Sequence, residues 1–184
     1  GYIYDEEGIN TEKLKHVMYI KNEQRERIGD YIKKYPKAKY IAGERPWSVP
    51  CDIALPCATQ NELNGEEAKL LVANSVIAVA EGANMPCTPE AVEVFHNSGI
   101  LFAPGKASNA GGVATSGLEM SQNSLRLGWT REEVDAKLDA IMVNIHKNAS
   151  ETADKYGRPG DYVFGANVAG FLKIAEAMIA QGVV

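Results

Sequence analysis

Three short apolar runs each end in a segment whose residue types suit the binding of a ligand. The first segment, Pro56-Cys57-Ala58-Thr59-Gln60-Asn61-Glu62, offers hydroxyl, amide and backbone groups. The second is Glu81-Gly82-Ala83-Asn84-Met85-Pro86, where Gly82 permits close approach and Asn84 can donate and accept at once. The third and richest runs from Pro104-Gly105-Lys106-Ala107-Ser108-Asn109 through Gly111-Gly112-Val113 to Thr115-Ser116-Gly117. A glycine-rich turn entering a helix aims backbone N–H groups outward, with the positive end of the helix dipole behind them, and so suits a carboxylate or a phosphate. Ser116 adds a hydroxyl donor. A packing reading stands beside this one: the glycines let the helix approach a neighbour, and Thr115 and Ser116 bond back to helical carbonyls. Asn84 has the alternative of a satisfied loop amide, and Thr59 and Gln60 that of capping a turn.

Other chemistries find less support in the residues. Cys57 has no histidine in these loops to activate it as a nucleophile, and spacing does not bring Glu81 and Glu119 together as an acid and base pair. Cys51, Cys57 and Cys87 form an odd set with no C-x-x-C spacing, and His16, His96 and His146 lie far apart, so no metal site is expected. Lys106 follows a strand but reads as a surface or loop lysine. The 184 residues contain no G-x-G-x-x-G, so a dinucleotide pyrophosphate turn is not among them.

Short apolar runs alternate with stretches at helical spacing, which predicts parallel strands linked by helices. Candidate strands are 2–4, 39–42, 52–55, 77–80 and 100–103. Thr11 is expected to cap a helix running towards Asp30, with a possible break at Gly29 and a solvated charged face of Lys21, Glu23, Arg25, Glu26 and Arg27. Asn64 with Glu67 and Thr130 with Glu133 have capping-box spacing, and Thr88-Pro89 opens a helix that Gly99 closes. A helix from about Gly111 stops by Gly128. The next carries Val134, Leu138, Ile141, Ile145 and Ala149 on one face, expected to pack on the sheet. The last, from about Ala166 to Gln181, lines up Val168, Phe171, Leu172, Ala175, Met178 and Ile179, with Gly165 and Gly170 allowing close approach. In an open α/β sheet the crevice at the carboxyl ends of the strands receives the ligand, which is where all three segments fall.

At 184 residues, against roughly 150 per domain, the length suits about one domain. The 24 acidic residues against 19 basic ones give a net charge of −5 with no basic cluster, so no nucleic-acid partner is expected. Lys173 and Glu176 interrupt the most apolar stretch, which argues against a membrane span. No secretory signal opens the sequence, and the odd cysteines suit a reducing, cytoplasmic location. The sequence begins Gly-Tyr-Ile-Tyr-Asp without methionine and reads as a piece of something longer.

Several strings closely resemble the C-terminal part of the hexameric bacterial-type NAD(P)-dependent glutamate dehydrogenase family. They are Pro46-Trp47, Asp52 through Leu63, Ala80-Glu81-Gly82-Ala83-Asn84-Met85-Pro86, Phe102 through Asn123, Tyr162-Val163, Gly165-Ala166-Asn167 and Ala169-Gly170-Phe171. The resemblance implies a Rossmann-like three-layer αβα fold with a mostly parallel sheet, its first βα unit missing, over residues 1–184. Residues 1–128 would form the core and 129–184 the C-terminal helices. It also implies an oxidoreductase that interconverts L-glutamate and 2-oxoglutarate plus ammonia by hydride transfer with NAD or NADP, the choice between them unresolved.

By the same resemblance Ala58 and Thr59 would line the nicotinamide and ribose side of the cofactor site. Asn84 and Asn109 would hold the nicotinamide ribose and carboxamide end, while Val113 and Ser116 would meet the side-chain carboxylate of glutamate. That last placement agrees with the carboxylate site read from the glycine-rich helix start. The family's catalytic lysines and aspartate belong to an N-terminal substrate domain outside these residues, so none is assigned here and the chain alone is expected to be inactive. The intact enzyme would be a homo-oligomer. A different class of reading is a non-catalytic α/β binding or assembly module.

Overall fold

The computed structural model describes residues 1–182, and backbone contacts divide the chain into two units, Gly1–Val49 and Pro50–Val184. The boundary near residue 128 suggested by the sequence falls inside the second unit.

In the first unit, β1 (Tyr2–Tyr4) pairs antiparallel with β2 (Lys39–Ile41), Tyr2 opposite Ile41. The expectation of parallel strands fails here because the intervening chain supplies no continuous crossover helix. The expected long helix is broken. Helix α1 (Thr11–Met18) is capped by Asn10, not Thr11: the Asn10 side-chain oxygen accepts the Lys13 N–H at 3.0 Å. A π-helical turn at Tyr19–Glu23 follows, Arg25 takes a left-handed φ of 58°, and helical structure resumes as a 3-10 turn at Ile28–Asp30 that leads into the single turn α2 (Tyr31–Lys34). Ile20, Tyr31 and Ala38 form the core, with Ile3, Val17 and Tyr35 against it.

Beside that core lies an ionic cluster. Lys13 is buried and sits 2.8 Å from Asp5 and 3.2 Å from Glu7, Tyr31 donates its hydroxyl to Asp5 at 2.7 Å, and Lys37 reaches Glu7 at 2.9 Å. The Lys13 ammonium and the Tyr31 hydroxyl hold the Asp5 carboxyl below its ordinary range, and Lys37 with Lys13 does the same for Glu7. Asp5 and Glu7 in turn raise Lys13, while burial and Asp5 push the Tyr31 phenol up to about 12.

The second unit is built on a parallel sheet in the order β3-β4-β5, formed by Ile53–Ala54, Ala78–Ala80 and Leu101–Ala103. Ala54, Val79 and Phe102 make one buried row across it. Helices α3 (Gly65–Ala73) and α4 (Pro89–Ser98) pack on each other, and Phe95 of α4 stacks on Phe102 with ring centroids 5.5 Å apart. Both predicted capping boxes form, and Gly99 closes α4 in the left-handed conformation at φ 74°. The sheet is Rossmann-like in its parallel pairing and helical connections.

After β5 come α5 (Gly105–Ser108), α6 (Gly111–Leu125), α7 (Arg131–Lys155) and α8 (Tyr162–Gln181). The stripe on α7 is real: Val134, Leu138, Ile141 and Ile145 are half-buried and Ala149 is buried. It does not serve the sheet as expected, because α7 packs against α5, α6 and α8, and it is α8 that reaches β5. Helix α8 starts four residues before the expected Ala166, since Asp161 accepts the Phe164 N–H at 2.9 Å and caps it. Its apolar side splits, with Val168, Leu172 and Ala175 half-buried while Phe171, Met178 and Ile179 stay exposed. By length and its mean hydropathy of 1.4 over the most apolar window, α8 is apolar enough to cross a membrane, so Lys173 and Glu176 do not exclude a span on composition alone.

Gly165 is where α7 and α8 come closest, as a Cβ there would run into the Ala149 carbonyl. Gly170 has open space beside it, so the expected close approach holds at only one of the two glycines. In urea unfolding, Gly165→Ala is expected to cost about 1–3 kcal/mol by overpacking, whereas Gly170→Ala gains about 0.5–1 kcal/mol of helix propensity. Equal effects would contradict this packing. The ionic cluster makes a pH prediction. Carboxyls held below 3.8 and 4.5 stabilise the fold above those values and lose that contribution as pH falls through their lowered folded values. Lys13 works in the other direction, its contribution persisting below 10.5 and fading as pH rises through its raised value. The unfolding midpoint should drop on acidification to about pH 2, and Lys13→Met should flatten that drop.

Candidate functional site

Because β3, β4 and β5 run parallel, the segments that follow them emerge along one edge of the sheet and are tied together there. The Pro56 carbonyl accepts the N–H groups of Gly82 at 3.0 Å and Ala83 at 3.1 Å. Asn61 and Leu63 donate to the Met85 and Pro86 carbonyls, both at 3.0 Å, and the Thr88 N–H returns to Leu63 at 2.9 Å. Asn61 and Met85 both hold left-handed backbone, φ 55° and 51°, where the two loops meet. Gly82 lies against Cys57, whose sulfur would have to turn aside for a Cβ there.

The second and third segments are joined through Glu81 and Asn109. Glu81 is buried, and its carboxylate accepts the Cys87 N–H at 3.1 Å and the Gly105 N–H at 2.5 Å. Ser108 donates its hydroxyl to the Glu81 carbonyl at 2.6 Å, and Asn109 Nδ2 donates to the Ala83 carbonyl at 2.9 Å. Thus the structure brings Ala58 and Thr59, Asn84, and Asn109 onto one edge. Val113 and Ser116 lie further along, on the exposed side of α6.

These residues differ in what they have left to offer. Asn84 is exposed and its amide makes no hydrogen bond among the described residues, while Asn109 has one amide hydrogen committed to Ala83 and its carbonyl oxygen open. The N–H groups of Ala58 and Thr59 are taken by Glu62 Oε1, at 2.7 and 3.3 Å, so what these two residues have left to donate is the Thr59 hydroxyl. Thr115 and Ser116 do bond back along the helix, as the packing reading expects, but unequally: Thr115 to Gly111 at 2.9 Å, Ser116 to Gly112 at a long 3.4 Å. The Ser116 bond is the weaker and gives way more readily to an incoming acceptor. No side chain caps α6, so its first N–H groups are not covered by one.

These side chains are uncharged hydroxyl and amide groups, suited to hydrogen-bonding neutral polar groups of a ligand. The one lysine in these segments, Lys106, is exposed and donates to Asn167 Oδ1 of α8 at 2.5 Å. Among the described residues no group of three His, Cys, Asp or Glu side chains could hold a metal ion. A cleft of about 270 Å³ lined by His96, Phe102, Pro159 and Tyr162 lies at the opposite, amino-terminal end of β5.

Sequence reasoning missed two acidic residues. Glu81 stands in the second segment, and its signal is a lone carboxylate directly after a strand in a loop of small residues. Glu62 reads from the sequence as one more polar loop residue, and its bonds to the Ala58 and Thr59 backbone have no signal there.

Comparison with known proteins gives one consistent picture. The profile of the family described as Glutamate/Leucine/Phenylalanine/Valine dehydrogenase matches residues 1–182. A glutamate dehydrogenase of Bacteroides thetaiotaomicron is 60% identical over 188 aligned residues, covering all of this chain and 41% of its own length. An NAD(P)-specific glutamate dehydrogenase of Xylanibacter ruminicola is also 60% identical, with the same coverage of 100% and 41%. Among solved structures, the glutamate dehydrogenase of Plasmodium falciparum superposes with a TM-score of 0.95 at 50% identity, over 100% of this chain and 40% of that one. The chain therefore spans about 41% of the length of the curated relatives it matches.

The three thiols should report the geometry of the site directly. Cys57 is exposed, Cys51 is half-buried with burial pushing its thiol up, and Cys87 is raised furthest by burial and the neighbouring Glu81 carboxylate. At about pH 8 a thiol reagent should modify Cys57 first and Cys51 slowly, and should reach Cys87 only on unfolding. Rapid native labelling of Cys87, located by mass spectrometry, would contradict this arrangement.

Proposed function

On the premise that this chain belongs to the Glutamate/Leucine/Phenylalanine/Valine dehydrogenase family, we propose that it is part of a glutamate dehydrogenase that interconverts L-glutamate with 2-oxoglutarate and ammonia. The observation that carries this reading is the edge where three parallel strands end, where Thr59, Asn84 and Asn109 offer polar groups beside the uncapped start of α6. A nicotinamide dinucleotide, when bound, supplies or accepts the hydride. NAD and NADP both remain open as its identity, as the name of the Xylanibacter relative leaves them.

The chain's own residues bind and orient. Ala58 and Thr59 line the nicotinamide and ribose side, with Glu62 holding their backbone so that the Thr59 hydroxyl stays outward. Asn84 takes the carboxamide and ribose end, matching donor and acceptor at once. Asn109 plays two parts: its Nδ2 fixes the Ala83 peptide next to Asn84, and its oxygen accepts from the cofactor. Val113 and Ser116 meet the side-chain carboxylate of glutamate, Ser116 by exchanging its long bond to Gly112 for a charge-assisted one. No residue of these 184 is assigned a catalytic proton. Those groups, and the pyrophosphate turn, belong to the rest of the enzyme. We place the reaction in the cytoplasm on the three unpaired thiols, and we take the working enzyme as a homo-oligomer.

Nicotinamide absorbance, followed with 2-oxoglutarate and ammonia and with NADH and NADPH in parallel, tests this. The natural polypeptide that carries these residues should turn over with at least one cofactor, and the 184 residues alone with neither. Ser116→Ala should raise the KM for glutamate about tenfold or more, the loss of one hydrogen bond to a charged group. Turnover by the 184-residue chain, or an unchanged glutamate KM in the variant, would overturn the assignment.

A further inference from the structure

We propose that Glu81 is a positioning residue of the cofactor site: its carboxylate sets the path of the loop from Gly82 to Cys87 that presents Asn84. The inference rests on the reading that Asn84 meets the nicotinamide end of a dinucleotide.

Glu81 is only 6% exposed and makes no ion pair among the described residues. A carboxylate buried without a cation destabilises a fold unless its oxygens are hydrogen-bonded. Here each oxygen accepts one backbone N–H, Oε1 from Cys87 at 3.1 Å and Oε2 from Gly105 at 2.5 Å. The two donors lie on different segments, so one side chain closes the far end of its own loop and fastens that loop to the turn after β5. Glycine at 105 lets the carboxylate approach closely, since a Cβ there would come within 3.1 Å of Glu81 Oε2 and push it back by a few tenths of an ångström.

The main chain of Glu81 is held as firmly as its side chain. Its N–H donates to the Ala103 carbonyl at 3.1 Å and its carbonyl receives the Ser108 hydroxyl at 2.6 Å. Between the two anchored ends the Ala83 peptide is pinned by Pro56 and Asn109, and Met85 is kept at φ 51°. Asn84 is the residue this scaffold leaves exposed and unpaired.

The chemistry demands two acceptors at one position. An aspartate is one methylene too short to reach both donors. A glutamine of the same shape turns its NH₂ towards one of the two N–H groups, so donor faces donor and one fastening is lost. With the loop released, the cofactor must order it on binding, and the effect falls on cofactor affinity more than on the bound substrate.

The test uses the natural polypeptide carrying these residues. By hydrogen exchange read by mass spectrometry, peptides covering 82–88 and 104–108 should be protected in the parent. In Glu81→Gln they should exchange faster while α3 and α4 are unchanged. In the same variant the KM for the dinucleotide should rise about tenfold, with the KM for glutamate and kcat at saturating cofactor changed less than about twofold. A folded Glu81→Gln enzyme with parental cofactor KM, or fast exchange of both segments in the parent, would overturn the proposal. Should Glu81→Gln fail to fold, Ser108→Ala leaves the carboxylate in place and removes the hydroxyl that bonds the Glu81 carbonyl and, at longer range, those of Pro104 and Ala103. It should give the same split at about threefold, and no change in cofactor KM would again overturn the proposal. A parent without any dinucleotide-dependent turnover would instead sink the dehydrogenase reading, and the exchange of the two segments would then decide the role of Glu81.

Discussion

A carboxylate with no ion-pair partner among the described residues, buried where β4 ends, is the constraint around which the edge of the sheet is arranged. Glu81 can occupy that position only if backbone N–H groups take over from water, and the two available come from Cys87 and Gly105. Meeting that demand fixes the loop after β4 against the short helix α5 that follows β5. The Pro56 carbonyl, which accepts from Gly82 and Ala83, adds the third loop. Fastened in this way, short loops can present Thr59, Asn84 and Asn109 in a set geometry although most of their side-chain surface is open.

The first unit solves the same problem with opposite means. There Lys13 is buried among Asp5, Glu7 and Tyr31, and charge is met by charge. Removing one member of such a cluster leaves its partners desolvated, so the group behaves as one device in which Asp5 is lowered because Lys13 is near and Lys13 is raised for the same reason. A two-stranded ribbon with three residues in each strand is a weak structure on its own. The cluster and the core of Ile20, Tyr31 and Ala38 supply what the ribbon lacks.

Helices α7 and α8 depend on Gly165, whose missing side chain lets α8 approach the Ala149 carbonyl. That contact joins α8 to α7, and the bond from Lys106 on α5 to Asn167 connects α8 to the turn after β5. The exposed Phe171, Ile174, Met178 and Ile179 show that the packing against α7 uses only part of the helix. Membership of the dehydrogenase family rests on the profile match over residues 1–182, and the architecture explains how those residues present a polar edge.

Interactions that act over three or four residues are legible in the sequence. The capping boxes at Asn64 and Thr130, the Thr88-Pro89 start and the Gly99 stop all form as read, because donor, acceptor and glycine sit within one helical turn of each other. Strand positions were legible from apolar runs, and the family strings were legible because they are long and ordered. The tertiary structure alone decided the direction of β2 against β1, the packing of α7 on helices and not on the sheet, and the separate fates of Gly165 and Gly170. It also decided that Glu81 is a fastening and that Asn109 spends a donor on Ala83. Those partners lie 24 and 26 residues away, and no local pattern encodes a bond whose other end is placed by the sheet.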